Sequence, residues 1–221
     1  FDSYDGPVNA DDRATDIKVD GSGNVYVTGS STGSGSYLDY ATLKYNNSLV
    51  RSWEARYNGT AGGDDGASAL SVDGSSNVYV TGWSYGTGTS GDITTVKYSS
   101  TGSEQWVARY DGTGNDLDVA TGISISQNEI YVTGWSYGGT SADDFVTLKY
   151  NSAGTEQWSQ RLDGNGNAGD YPSRIAVDGA GNSYVAGFSD GGSTGNDFGV
   201  VKYNTGGVKQ WNDNYNGPSN A

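Results

Sequence analysis

Val25-Tyr26-Val27-Thr28-Gly29 returns as Val78-Tyr79-Val80-Thr81-Gly82, as Ile130-Tyr131-Val132-Thr133-Gly134 and as Ser183-Tyr184-Val185-Ala186-Gly187. The glycines stand 53, 52 and 53 residues apart, a spacing that marks one structural unit copied in tandem. Around each copy lie four short apolar stretches with two-residue alternation, which in the first repeat cover 16–19, 25–30, 40–45 and 53–57. Alternation of that period describes strands. The first two are joined by Asp20-Gly21-Ser22-Gly23-Asn24, a tight hairpin whose Gly and Asn tolerate positive φ, and it recurs at 73–77 and 178–182. The third copy has only Ser126-Gln127-Asn128, one residue shorter, which accounts for the 52-residue period.

A Gly-rich connection then runs from each repeat glycine to an aspartate: Gly29 to Asp39, Gly82 to Asp92, Gly134 to Asp144 and Gly187 to Asp197. The strand after it ends in Lys44-Tyr45, Lys97-Tyr98, Lys149-Tyr150 or Lys202-Tyr203. The last strand opens on Trp53, Trp106, Trp158 or Trp211 and reaches Tyr57, Tyr110, Leu162 or Tyr215. Four antiparallel strands per unit predict an all-β, four-bladed β-propeller in one domain, with repeats at about 8–59, 60–112, 113–164 and 165–217. A half-ring that pairs with another chain into eight blades is the alternative architecture.

The pattern Val-Asp-Gly-x-Gly-Asn-Val-Tyr-Val-Thr-Gly, then Asp-aromatic-x-Thr-x-Lys-Tyr, then Trp-x-x-x-Tyr-x-Gly resembles the SBBP β-propeller repeat of secreted and cell-surface bacterial and archaeal proteins. The resemblance covers essentially the whole chain. It implies a propeller fold and an extracellular module, and a propeller hosts many functions.

Composition limits those functions. The 221 residues carry a formal charge of -14, with 36 Gly, 17 Tyr, 6 Trp and no Cys, Met or His. So acidic a surface repels a phosphate backbone, and no basic cluster offers a nucleic-acid footprint. No apolar run approaches the ~20 residues that span a bilayer, so no membrane insertion is expected. A chain that lacks Met and opens on Phe1 fits a processed product or an excised fragment; a removed signal peptide and a secreted or cell-surface location are the expectation.

The ends depart from the repeat. Residues 1–7 duplicate 212–218, the tail of a last strand whose Trp is missing. An edge strand is a template for pairing, and a spare segment beside it invites β-addition between copies. A head-to-tail contact of that kind builds filaments. Phe1 and Tyr4 in the spare segment, with Trp211 and Tyr215 in the strand that mirrors it, are the strand-pairing and subunit-interface candidates. The expected function is therefore a non-enzymatic structural or interaction protein, a self-assembling subunit of a surface filament or layer.

Without His and Cys, Ser-His-Asp and Cys-His catalysis and imidazole or thiolate metal sites are out of reach. Two carboxylates could still serve a glycosidase. Glu54, Glu129, Asp190 and Asp213 break the repeat, but nothing in the sequence brings two of them together, and no catalytic residue is assigned. Asp12, Asp65, Asp118 and Asp170 recur with the blade, as do Asp39, Asp92, Asp144 and Asp197, and read as turn and strand-entry caps. The recurring lysines and Arg56, Arg109 and Arg161 read as solvated partners of those aspartates, worth little. No cofactor is required. Calcium is the one candidate ion, although the Asp-Gly-x-Gly-Asn turn offers one carboxylate and one amide and reads first as a hairpin. Trp83, Tyr85, Trp135, Tyr137 and Phe188 follow the repeat glycine and fit interblade packing, a subunit interface or, in the alternative of a carbohydrate-binding adhesion module, stacking on cell-surface glycans. Asn46 and Asn58 open glycosylation sequons.

Overall fold

The computed structural model describes residues 3–35, 37–139, 142–164, 168–192 and 195–217. Among these there are sixteen strands and no α-helix. The first repeat supplies β1 (Asp12–Val19), β2 (Val25–Thr32), β3 (Leu38–Tyr45) and β4 (Arg51–Tyr57). The second supplies β5 (Asp65–Val72), β6 (Val78–Tyr85), β7 (Gly91–Tyr98) and β8 (Glu104–Tyr110). In the third lie β9 (Asp118–Ser126), β10 (Glu129–Tyr137), β11 (Asp143–Tyr150) and β12 (Glu156–Leu162), and in the fourth β13 (Tyr171–Val177), β14 (Ser183–Asp190), β15 (Asn196–Tyr203) and β16 (Lys209–Tyr215). Each repeat is one antiparallel sheet in sequence order, a four-stranded propeller blade. Two units of two blades each emerge, residues 1–110 and 111–221.

The stretch that defines the repeat owes its glycine to a bulge. On the first strand of every blade one residue is skipped in the register: Thr15, Ser68, Thr121 and Ser173. The bulge pushes a carbonyl toward the neighbouring strand, so a Cβ on Gly29 would collide with the Arg13 carbonyl oxygen, and one on Gly82 with that of Gly66. The bulged threonines also stitch blades together: Thr15 Oγ1 donates to the Ala67 carbonyl at 2.8 Å, and Thr121 Oγ1 to that of Pro172 at 2.7 Å.

The hairpin turns behave as their residues dictate. Asp20 Oδ1 accepts from the backbone N–H of Ser22 and of Asn24, both at 2.9 Å, while Oδ2 accepts from the Asn24 amide at 2.8 Å and the Tyr26 hydroxyl at 2.9 Å. Asp73 and Asp178 repeat the set. In the shortened third turn Gln127 and Asn128 both take positive φ, 53° and 63°, the requirement of a two-residue type I′ loop. Tyrosine carries the core. Tyr26, Tyr40, Tyr79 and Tyr98 in the first unit, and Tyr131, Tyr150 and Tyr203 in the second, are fully buried.

Candidate functional site

Within each unit one blade face covers another. In the first unit Tyr26, Tyr40, Trp53, Ala55 and Tyr57 of the first blade pack on Leu70, Val78, Val80, Val96 and Tyr98 of the second. The indole of Trp53 lies between Tyr26 and Tyr98, with centroids 6.3 and 6.4 Å away, and donates from Nε1 to the Ser100 carbonyl at 3.0 Å. Trp158 does the same in the second unit, between Tyr131 and Tyr203, donating to Thr205 at 3.1 Å.

The fourth blade carries the same aromatic face in the open. Phe198, Trp211 and Tyr215 are 68%, 45% and 60% exposed, whereas their counterparts Tyr40 and Tyr57 are 0% and 9% exposed. Phe198 and Tyr215 stack on each other at 6.3 Å, and Trp211 leans on Tyr184 at 6.4 Å. The first blade shows the opposite kind of face: Ile17, Val19 and Leu49 are exposed, and the blade carries a cavity of about 490 Å³. Tyr4, Ala14, Val27, Leu43, Tyr45 and Leu49 line it. So Trp211 and Tyr215, both expected at an interface, lie on an exposed apolar face of β16.

Tyr4 lies elsewhere than strand pairing would place it. Phe1 falls outside the described residues, and residues 3–11 form no strand. Tyr4 is held by side chains: its hydroxyl donates to Glu54 Oε1 at 2.6 Å and accepts from Arg56 Nη1 at 3.0 Å, while the Arg51 guanidinium sits 5.8 Å over the ring. Burial and the Glu54 carboxylate push its phenol pKa up. Two residues on, Gly6 N donates to Asp12 Oδ2 at 2.8 Å, as Gly59 does to Asp65, Gly112 to Asp118 and Gly164 to Asp170, each at 2.6 Å. The segment therefore docks on the first blade in the way that the end of β4 docks on the second blade and the end of β12 on the fourth.

The family model of the SBBP beta-propeller repeat matches residues 8–35 and 157–199. Over those two segments the chain is similar to the SBBP repeat. No curated protein sequence matches it. Among solved structures it is similar to the gluconolactonase XC5397 of Xanthomonas campestris, with TM-score 0.49 and 13% identity over 93% of this chain and 62% of that one. It is also similar to a eukaryotic initiation factor, with TM-score 0.45 and 8% identity over 92% and 55%, and to the tail fiber of Staphylococcus aureus phage P68, with TM-score 0.26 and 8% identity over 94% and 51%. The chain spans between half and two thirds of the length of these structures.

The recurring charges of the repeat differ from the expectation of solvated pairs. Arg109 donates from Nη2 to Asp92 Oδ2 at 2.7 Å and to the Ser84 carbonyl at 2.6 Å, and from Nη1 to Ser84 Oγ at 3.0 Å. Arg56 and Arg161 build the same clamp with Ser31 and Asp39, and with Ser136 and Asp144. The three carboxylate side chains are only 7%, 4% and 4% exposed. The fourth repeat has Asn214 in place of the arginine. Lys44, Lys97, Lys149 and Lys202 sit 5.1 to 5.4 Å over Tyr26, Tyr79, Tyr131 and Tyr184.

Two of the acids that break the repeat are already engaged. Glu54 holds Tyr4 and lies 3.5 Å from Arg51, and Glu129 pairs with Lys149 at 3.3 Å. In the second unit Asp144, Asp163 and Asp170 bring carboxylate oxygens within 4.8 Å of one another, a trio the repeat alone did not reveal because Asp163 comes from the connection after β12. Burial, then the charges of Asp144 and Asp170, raise the Asp163 pKa. Asp144 accepts from Arg161 at 2.6 Å, and Asp170 accepts from the N–H of Gly164 and of Asp190. Three of those six oxygens, Asp144 Oδ2 and both of Asp170, accept from protein donors, as both oxygens of Asp20 do in the turn considered for calcium.

The aromatics after the repeat glycine pack on other rings. Trp83 meets Tyr85 edge to face at 5.8 Å and 85°, Trp135 meets Tyr171 edge to face at 5.7 Å and 72°, and Phe188 lies tilted against Tyr171 at 5.1 Å and 37°. The Tyr137 hydroxyl donates to the Gly139 carbonyl at 3.0 Å. Tyr85 and Phe188 keep more than a third of their surface exposed. Of the sequon residues, Asn58 is exposed, whereas Asn46 Oδ1 caps its own turn by accepting from Ser48 N and Val50 N.

Proposed function

We propose that the chain is a non-enzymatic structural and interaction module, working outside the cell, that associates with copies of itself through its terminal blades. The observation that carries this reading is the face of the fourth blade: Phe198, Trp211 and Tyr215 are exposed where the same repeat positions are covered in the first and third blades. Tyr and Trp of this kind, gathered on one patch, are what protein interfaces enrich. Charge works against association, at -14 per copy. The repulsion is long-range and screened beyond about 8 Å at physiological salt, while apolar burial at contact is not.

Sedimentation velocity across a hundredfold concentration range tests the reading, with electron microscopy of the same samples to tell filaments from closed rings. Larger species that grow with concentration and are lost in Trp211→Ala are expected. A chain that stays monomeric at every concentration refutes it. The carbohydrate-binding alternative then gains, and it is read by a change in tryptophan fluorescence on adding cell-surface glycans.

A further inference from the structure

The partner of the exposed aromatic face is legible from the blades that are already covered. We infer that the fourth blade of one copy docks on the first blade of a second copy, in the register that stacks blades within each unit, and that Tyr4 and Leu49 hold the two seats the incoming aromatics need. This deepens the self-association reading and rests on it.

The register is the same in both units. Lys44 Nζ and Trp53 Nε1 converge on the Ser100 carbonyl at 3.4 and 3.0 Å, and Lys149 Nζ and Trp158 Nε1 converge on that of Thr205 at 3.2 and 3.1 Å. On the fourth blade the corresponding donors are Lys202 and Trp211; on the first blade the residue matching Ser100 and Thr205 is Asn47, which is exposed. The apolar partners match as well. Leu70, Val72, Val80 and Val96 cover the first blade's aromatics, and their counterparts on the first blade are Ile17, Val19, Val27 and Leu43. In the second unit Phe145 lies against Gly199, at 3.6 Å from where its Cβ would stand; Phe198 would meet Ala41, again a small residue.

Two positions depart, both on the receiving face. The indoles of Trp53 and Trp158 lie directly on Gly102 and Gly207, where a Cβ would come within 2.8 and 2.7 Å of them. Both glycines have positive φ, 86° and 79°. At this place the first blade has Leu49, which keeps the turn hydrogen bond to Asn46 and a φ of 60°, a conformation that side chains disfavour. The turn has the shape of the seat, and a leucine side chain stands in it. The second departure is Tyr4. Arg109 hydrogen-bonds the hydroxyl of Tyr57 from the preceding blade, and Arg56 hydrogen-bonds Tyr4 at 3.0 Å. Tyr215 of an incoming copy and Tyr4 claim one place, so the copy must displace the segment that Tyr4 anchors.

The test uses the absence of native cysteine. Asn47→Cys and Lys202→Cys chains are mixed and treated with a short bis-maleimide, with Lys44→Cys/Ser100→Cys in one chain as the calibration of that geometry. A cross-linked dimer is expected from the mixture and not from either chain alone. Leu49→Gly, and separately Tyr4→Ala, are expected to tighten self-association about tenfold in sedimentation equilibrium, because each clears a seat. If copies associate but neither variant strengthens them and no mixed dimer forms, this interface is overturned while self-association stands. If no association occurs, both readings fail. An intramolecular cross-link in a dilute Asn47→Cys/Lys202→Cys chain overturns the second copy as the occupant, since the fourth blade would then sit on its own first blade.

Discussion

Arg109→Met should destabilise the protein far more than the loss of a surface ion pair. Asp92 is 4% exposed, and its Oδ2 is held by Arg109 Nη2 at 2.7 Å and Nε at 3.3 Å and by the Thr89 hydroxyl at 3.0 Å. Methionine keeps the alkyl stem and removes the charge, leaving a buried carboxylate with one hydroxyl donor. Breaking a buried pair from one side costs about 3 to 5 kcal/mol. The guanidinium side is a quarter exposed, so water entering beside it lowers the expected loss to about 2 to 4 kcal/mol. Against a total stability of roughly 5 to 15 kcal/mol that is a large share. Urea unfolding followed by tryptophan fluorescence reads it as a drop in midpoint at constant slope. The double variant Arg109→Met/Asp92→Leu should recover much of the loss, because an apolar pair leaves no stranded charge, and the double-mutant cycle then returns a coupling of the order of 2 kcal/mol. A single-variant loss below about 1 kcal/mol, the range of exposed pairs, would refute the buried-clamp reading.

Gly82→Ala should cost at least about 3 kcal/mol in the same assay, because the new methyl meets the Gly66 carbonyl and the Tyr40 hydroxyl at once, and the bulge must move to admit it. The turn aspartates predict acid sensitivity. Hydrogen bonds from Asn24, Ser22 and Tyr26 outweigh a burial contribution of opposite sign and hold Asp20 at about 2, and the Asn182 side chain first among several donors does so for Asp178. A carboxyl depressed in the folded state stabilises above its unfolded pKa and loses that stability as pH falls from about 4 through 2. Asp178→Asn should therefore lower the melting temperature at pH 7 and leave it unchanged near pH 2. Raising salt from 50 to 500 mM should strengthen self-association, since it screens like charges and leaves apolar burial intact; weakening with salt would point to an ionic contact instead.

The blade was legible because its constraints are local. Strand period, turn residues and the returning glycine sit within a few residues of one another, and the deletion at Ser126-Gln127-Asn128 even announces its type I′ turn. The arginine clamps were not legible in the same way. Arg56, Arg109 and Arg161 recur at repeat spacing, so their presence was plain, but whether a recurring ion pair is solvated depends on how deep the end of β2 and the start of β3 lie, and spacing carries no depth. The setting of Tyr4 within its own chain was hidden for a related reason. Its duplication of Tyr215 was visible, and duplication suggests strand pairing, yet its partners Glu54 and Arg56 lie on β4 of the following blade and act through side chains.

Leu49 shows a different limit. The series Leu49, Gly102, Gly154 and Gly207 was readable as a departure from the repeat, but a turn glycine is ordinarily explained by its own φ, and that explanation needs no neighbour. The contact with Trp53 and Trp158 adds a second demand, made by the preceding blade. Gly102 and Gly207 answer to their own turns and to an indole of the blade before, whereas no indole is seen on Leu49 among the described residues. A leucine that tolerates φ 60° satisfies the weaker demand alone. The same reasoning applies at the other end, where Phe198, Trp211 and Tyr215 keep the aromatic pattern although exposure of three such rings to water is unfavourable. A face with no partner has no reason to retain its indole, and a receiving face with a strong partner has no reason to fill the indole's seat. In the proposed contact the donor half is complete and the acceptor half is weakened at Leu49 and Tyr4, which is the form expected of subunits that stay separate until they are concentrated.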